Sequence, residues 1–137
     1  MSAVLDPLLL LLIFLGLQLP SGRFLWAYGA CLGFFRDLTT GGLFGGFVCS
    51  YSLIGWILGT SRHLVEREDP LIQGIWAGLL TGIHGLSYGL LMTLADPVMG
   101  WNRWGLGLLP LSMGLQGIAA AWGFPRLKRF LRKTAVV

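Results

Sequence analysis

The amino-acid sequence predicts an all-α integral membrane protein, a compact glycine-rich bundle of about five transmembrane helices. Of its 137 residues, 55% are hydrophobic and only 12% are charged, which is too little polar surface to cover a water-soluble globule. The chain has no room for a separate soluble domain. We therefore expect one transmembrane helical domain over residues 1–125 and a basic cytoplasmic tail over residues 126–137.

Five apolar segments are candidate transmembrane helices. They cover residues 3–19, 23–37, 43–60, 71–95 and 103–124. The first two are short for a hydrocarbon core of roughly 30 Å, so we expect their ends to recess into the protein or the bilayer to thin around them. Asp69 and Pro70 form the N-cap and first-turn proline pattern of a helix start. Pro110 is predicted to kink the fifth helix, and Pro125 is predicted to end it.

Basic residues are distributed unevenly between the two sides of this arrangement. One side receives eight of the ten, which are Arg23, Arg62, Arg67, Arg126, Lys128, Arg129, Arg132 and Lys133. The other side receives only Arg36 and Arg103. Because cytoplasmic segments carry an excess of Lys and Arg, the N-terminus is predicted outside and the C-terminus inside. Residues 1–19 lack the basic start of a secretory signal peptide and are expected to remain as the first helix.

The position of the basic residues shows which kind of partner the net charge of +4 suits. Half of the basic residues follow the last apolar segment, which suits a cytoplasmic lipid leaflet better than nucleic acid. Leu127, Phe130 and Leu131 lie among them, as in a helix that rests on an anionic membrane surface. A tail that only fixes the orientation of the protein in the membrane would have the same composition.

Glycine recurs every four residues along several of these segments. The members are Gly29 and Gly33, Gly41 and Gly45, Gly42 and Gly46, Gly55 and Gly59, and Gly74, Gly78 and Gly82. Such spacing puts small residues on one helix face and lets helix backbones approach closely within a membrane. The sequence leaves open whether these faces pack within one chain or receive the helix of a partner.

Arg36 and Asp37 are the only charged residues between Phe24 and Ser61. A pair of opposite charges in an apolar stretch marks either a turn at the membrane surface or a buried pair that orients neighbouring helices or a partner. The glycines that follow tolerate left-handed backbone angles. They permit either a re-entrant hairpin or two full crossings.

His84 lies near the middle of the fourth segment. It is either a buried histidine bonded to a neighbouring helix or a site for a ligand or a proton relay. Cys31 and Cys49 have neither metal-ligand nor redox spacing and are expected to be buried as small apolar groups. The sequence contains no nucleophile with a base, no paired catalytic carboxylates, no metal-ligand pattern and no phosphate-binding glycine loop. We therefore expect neither an enzyme nor a cofactor.

A longer pattern extends from Asp6 to Gly59. An apolar run follows Asp6 and Pro7, a small-residue helix ends at Arg36 and Asp37, and a glycine turn leads to Leu43-Phe44-Gly45 and later to Gly55-Trp56. Together these features resemble the rod shape-determining protein MreD family, in which an aspartate closes the second helix, a Leu-Gly step follows and a Gly-Tyr pair comes later. Asp37, Gly45 and Gly55 match those positions. Trp56 stands where tyrosine is usual, and Asp6-Pro7 reverses the commoner Pro-Asp order.

The resemblance implies a non-enzymatic scaffold of the bacterial cell-elongation machinery in the cytoplasmic (inner) membrane. Such a scaffold binds MreC and supports peptidoglycan synthesis by RodA and a class B penicillin-binding protein. The residues expected to bind the partner or to pack helices are Gly29, Gly33, Arg36, Asp37, Gly41, Gly45 and Gly55.

Two alternatives remain open. One is the substrate-binding membrane subunit of an energy-coupling-factor vitamin transporter, whose ligand cavity would have to use His84, Gln73, Gln116 and Asn102. The other is a small oligomeric channel or exporter.

Overall fold

The computed structural model of the chain describes residues 6–18, 22–41, 44–64, 69–95 and 108–135. All regular structure within these ranges is helical, which confirms the all-α prediction. The elements in chain order are α1 (Pro7–Gln18), α2 (Leu25–Thr40), α3 (Gly46–Ser61), a 3-10 turn (Arg62–Leu64), α4 (Pro70–Ala95) and α5 (Leu109–Ala135).

α1 is a short helix with one side buried against the other helices and Leu11 on its exposed side. Its leucines and isoleucine at positions 9, 12 and 13 are fully buried. Asp6 lies beside Tyr51 of α3 and Gln116 of α5, while Phe14 packs on Phe124 of α5 at a ring separation of 5.3 Å. α1 therefore runs parallel to α3 and α5 and fills the space between them.

α2 and α3 form an antiparallel hairpin in which the two backbones touch. A Cβ atom at Gly29 would collide with the carbonyl oxygen of Tyr51, and one at Gly33 with that of Phe47. On the facing helix, a Cβ atom at Gly55 would collide with the carbonyl oxygen of Leu25. These contacts recur at each turn, so the glycine spacing brings the two helices together within one chain.

α4 and α5 form a second antiparallel pair with glycines at its closest approach. A Cβ atom on either Gly74 or Gly117 would lie 2.8 Å from the carbonyl oxygen of the other. Further along α4, Gly82 faces the side chain of Met113, and Gly85 faces that of Leu109. We call the end of the bundle with the α2–α3 connection the turn end, and the opposite end, where α5 finishes, the tail end.

The two prolines of α5 have roles that differ from those predicted. α5 begins at Leu109, so Pro110 lies in its first turn, where the missing N–H costs little, and not at a kink within the helix. Pro125 was predicted to end the helix, but the helix continues through it to Ala135. Leucine, lysine, arginine and phenylalanine follow it, and helices readily accommodate these residues. Residues 103–107 of the predicted segment lie outside the described residues.

Among the described residues, α4 is the one helix that is long and apolar enough to cross a membrane. α1 and α3 are apolar but shorter, with 12 and 16 residues.

Candidate functional site

Asp37 joins the last turn of α2 to the start of α3. Its Oδ2 atom accepts hydrogen bonds from the backbone N–H groups of Gly45 at 3.0 Å and Val48 at 3.3 Å, and its Oδ1 atom accepts from Phe47 at 3.2 Å. The first N–H groups of a helix have no acceptor within that helix, and its N-terminus attracts negative charge. Asp37 therefore caps the helix that follows its own, and its side chain is only 4% exposed.

Gly41 and Gly45 shape the connection between these helices. Gly41 ends α2 with a φ of +64°, and Gly45 precedes α3 with a φ of +95°. No atom lies within 4 Å of the position that a Cβ atom would take at either residue. Glycine is thus needed for its backbone angle and not for space. The four-residue spacing of this pair does not mark a helix face, in contrast to the pairs that pack α2 on α3.

Arg36 lies partly buried beside Asp37. The guanidinium carbon of Arg36 is 5.6 Å from the ring centroid of Phe47, within the range of a cation–π contact. The hydroxyls of Thr39 and Thr40 donate hydrogen bonds to its backbone carbonyl at 3.0 and 2.8 Å. Asp37 is buried and Arg36 is partly buried, and the pair lies in the last turn of α2, where the connection to α3 begins.

His84 contacts α3 through a group of hydroxyls. Its Nδ1 atom lies 2.5 Å from the Oγ atom of Ser50, which lies 3.0 Å from the Oγ atom of Ser87. The imidazole stacks on Phe47 at 5.9 Å and meets the edge of Tyr51 at 5.1 Å, measured between ring centroids. The histidine is bonded to a neighbouring helix, as one of the two alternatives for this residue required.

The partly buried Asp6 joins a second group of polar side chains with the buried Tyr51 and Gln116. Its Oδ1 atom accepts the N–H groups of Leu8 and Leu9 at 3.2 and 3.3 Å, and its Oδ2 atom accepts the hydroxyl of Tyr51. The fully buried Gln116 donates from Nε2 to the Asp6 carbonyl at 3.0 Å and accepts the Asp6 N–H at 3.2 Å. The start of α1 is thereby held between α3 and α5.

The contact between Tyr51 and His84 joins the two groups into one layer across the bundle. We call this set the polar layer, and its members are Asp6, Ser50, Tyr51, His84, Ser87 and Gln116. They belong to α3, α4 and α5, apart from Asp6, which immediately precedes α1. Hydrogen bonds join Ser50 to His84, and Asp6 to both Tyr51 and Gln116, so the layer connects the helices internally.

Three groups of predicted site residues can now be located. Gly29, Gly33 and Gly55 pack α2 against α3, and Gly41 and Gly45 shape the connection. Asp37 and His84 are buried, and the partly buried Arg36 lies beside Phe47. Cys31 and Cys49 were predicted to be buried, but both are exposed because their helices turn other faces inward. No group of three potential metal ligands occurs in the part of the chain that the structure describes.

Sequence reasoning did not identify Asp6 and Tyr51 as site residues. Asp6 precedes Pro7 and an apolar run, the same signal that predicts the start of α4 at Asp69 and Pro70, where the Asp69 carboxylate accepts the N–H of Leu71 at 2.9 Å. That signal could have located the carboxylate at the start of α1. Nothing in the local sequence identifies Tyr51 as its partner, 45 residues away.

Comparison of the chain with family models, with curated proteins and with solved structures finds no match in any of the three. The resemblance to the MreD family therefore stays a prediction from the residues between Asp6 and Gly59.

Proposed function

We propose that the chain is a multi-pass protein of the bacterial cytoplasmic membrane with its N-terminus outside and its C-terminus inside. The outer side of α4 supports this proposal. Its exposed residues form a continuous apolar stripe, with exposed fractions of 37 to 73%, made of Leu71, Ile75, Leu79, Ile83, Leu86, Leu90 and Leu94. At 1.5 Å per residue the stripe is about 35 Å long, which matches a hydrocarbon core of roughly 30 Å.

The low burial of α4 also supports a membrane location. Only 33% of its most apolar stretch is buried, whereas the core helix of a water-soluble protein is mostly buried. Exposed apolar area of this extent requires lipid or another protein to cover it.

The exposed side chains of α5 change from apolar to basic at the level where α4 begins. Up to that level its exposed large apolar residues are Leu111, Leu115, Ile118 and Trp122. The guanidinium of Arg126 lies over the Trp122 ring at 3.3 Å, and exposed basic residues follow. Gly74 of α4 lies beside Gly117 and Ala121, so the start of α4 is level with the step from Trp122 to Arg126. Tryptophan and arginine at one level are typical of a membrane interface, and the basic side is cytoplasmic.

Within this membrane, the chain acts as a non-enzymatic scaffold of the cell-elongation machinery. It binds MreC and supports RodA and a class B penicillin-binding protein. The observation that carries this proposal is the α2–α3 hairpin, because the three positions that match the MreD pattern are parts of one unit. Asp37 caps α3, Gly45 provides the turn that brings α3 under that cap, and Gly55 lets the two backbones touch.

The hairpin offers a surface for the partner. Five large side chains of α2 are about half exposed, namely Trp26, Tyr28, Phe34, Phe35 and Leu38. Since Asp37 and the glycines hold α2 rigidly on α3, this aromatic surface is preorganised and loses little conformational entropy when a helix of MreC packs on it.

Co-purification from the native membrane in a gentle detergent tests the assignment. We expect MreC to be recovered with the tagged chain, and less of it with Asp37→Ala or Gly45→Leu. Asp69→Ala is the matched control, because Asp69 caps a helix outside the hairpin. Unchanged recovery of MreC with both hairpin variants, after membrane insertion has been verified, would contradict the proposed role of the hairpin.

The polar layer favours one further candidate, the substrate-binding subunit of a vitamin transporter. Aromatic rings and hydrogen-bonding groups at mid-bundle are what a vitamin site uses. Recovery of transporter ATPases in the same experiment, with a thermal shift on adding a vitamin that His84→Ala abolishes, would favour this function over the scaffold.

A further inference from the structure

Among the described helices, the last turns of α5 extend beyond the end of α1 and the start of α4. Phe14 of α1 lies beside Phe124, and α1 ends four residues later at Gln18, while α4 begins near the level of Trp122. α5 nevertheless continues to Ala135. We call Arg126–Thr134 the basic extension.

The basic extension has one apolar side and one basic side. At 100° per residue, Leu127, Phe130 and Leu131 fall within an arc of about 100°. Their exposed fractions are 39, 63 and 47%. The remaining arc carries Arg126, Lys128, Arg129, Arg132 and Lys133.

The apolar side continues the stripe by which α5 faces the bundle. Ala120 and Phe124 are buried in the core, and Leu127 and Leu131 follow them at helical spacing. Among the described residues, α1 ends near the level of Leu127, and α1 does not reach the level of Leu131.

The bilayer cannot reach this apolar side if α5 keeps its direction. Phe130 lies eight residues beyond Trp122, or about 12 Å along the helix. A headgroup layer is only about 5 to 7 Å thick on each side of the hydrocarbon core. A second copy of the same helix is also a poor partner, because basic residues flank the apolar side on both edges and would repel their counterparts.

We infer that the basic extension binds an acidic amphipathic helix of another protein at the inner membrane surface. Apolar residues of that helix would cover Leu127, Phe130 and Leu131, and its Asp or Glu side chains would pair with the basic residues on both edges. The inference rests on the proposed membrane placement of α5. It goes beyond the proposed scaffold, whose MreC surface lies on α2.

The binding test uses the full chain in nanodiscs of phosphatidylcholine. The probe is a labelled three-heptad peptide with leucine at the a and d positions and glutamate at e and g. We expect saturable, salt-sensitive binding, measured by fluorescence anisotropy, that weakens by about tenfold or more with Phe130→Ser. Leu64→Ser is the matched control and should leave the affinity unchanged. Leu64 is exposed to a similar degree as Phe130 and lies at the tail end, but outside α5. Absent binding, or equal binding of a peptide with lysine at e and g, would overturn the inference.

A second measurement separates this inference from the membrane placement on which it rests. Spin labels are placed singly at positions 115 and 130, with Cys31 and Cys49 replaced, in nanodiscs that contain phosphatidylglycerol. We expect the label at 115 to be accessible to oxygen in the lipid and the label at 130 to be accessible to a water-soluble relaxation agent. A label at 130 buried in lipid would overturn the inference in favour of the bilayer, whereas a water-exposed label at 115 would overturn the membrane placement itself.

Discussion

The two hairpins of the bundle use the same glycine spacing to different effect. In α2–α3, glycines of both helices meet backbone atoms of the facing helix, from Gly33 near the turn end to Gly55. Beyond them, a Cβ atom at Gly59 would lie 2.7 Å from the carbonyl oxygen of Gly22, which precedes α2. In α4–α5, backbone meets backbone at Gly74 and Gly117, but Gly82 and Gly85 face flexible side chains nearer the turn end. The first hairpin is therefore rigid along its length, and the second becomes adaptable toward one end.

The difference shows that a repeat of small residues does not by itself determine how rigid a helix pair is. The atoms opposite the glycine decide it, because a carbonyl group cannot move without its helix, whereas a methionine side chain can rotate. The α2–α3 hairpin also has a carboxylate that fastens one helix to the start of the next.

The largest expected difference between the hairpins is the loss of stability when one glycine of each is replaced by alanine. Gly33→Ala should lower the free energy of unfolding by about 2 to 4 kcal/mol, because the new Cβ atom meets the backbone of α3. Gly82→Ala should cost less than about 1 kcal/mol, because the end of the Met113 side chain can move and alanine favours the helix. Unfolding in mixed micelles, followed by circular dichroism, measures both. Equal losses would contradict the proposed difference in rigidity.

Removal of the Asp37 cap should have the next largest effect. Asp37→Ala leaves three N–H groups at the start of α3 without their acceptor and should lower stability by about 2 to 3 kcal/mol. Asp37→Asn should cost less, since its amide keeps one acceptor oxygen. The same micelle titration applies, with Asp69→Ala expected to cost about 1 kcal/mol or less at an exposed cap. Similar losses of stability at the two caps would show that the burial of Asp37 adds nothing to the stability that its cap provides.

Gly45 offers a test that separates backbone strain from lack of space. Gly45→Ala should cost about 1 to 2 kcal/mol, because an L residue is strained at a φ of +95°. Gly45→Leu should cost about the same, since the Cβ position is open, whereas Gly33→Leu should cost much more than Gly33→Ala. Thermal unfolding of the four variants measures these differences. A clear gap between the two Gly45 variants would contradict the purely conformational requirement.

The smallest effect concerns the polar layer, which connects the hairpins. Tyr51→Phe removes the hydroxyl that Asp6 accepts and should lower stability by about 1 to 2 kcal/mol. Tyr28→Phe, at a tyrosine with 48% exposure, is the control and should change stability little. A double-mutant cycle with Asp6→Asn should give a coupling energy of at least about 0.5 kcal/mol. Additive effects would mean that the two side chains act independently.

Much of the helical order was predictable, because apolar runs and prolines are local signals. The starts of α1 and α4 follow Asp-Pro pairs, and the special position of Asp37 is visible as a charge in apolar sequence. Pro125 was misread because one missing N–H removes a single hydrogen bond, while the residues after it sustain a helix.

Contacts between helices distant in sequence could not be predicted. Gln116 and Asp6 are separated by 110 positions, and helical periodicity shows which face of each helix is inward but not which helix it meets. For the same reason the polar layer was not visible, although His84 and Gln116 were both noticed as polar residues in apolar segments.

Under the proposed membrane placement, the capping of α3 by a residue of α2 bears on how the protein is inserted into the membrane during synthesis. Each of the two helices has only 16 residues, and the first N–H groups of α3 obtain their acceptor from the preceding helix. Partition of α3 alone would expose those groups to lipid, a cost that the pair avoids. We expect α2 and α3 to leave the translocon together as a preassembled unit, so that Asp37 sets the order in which the chain is inserted as well as the shape that it finally adopts.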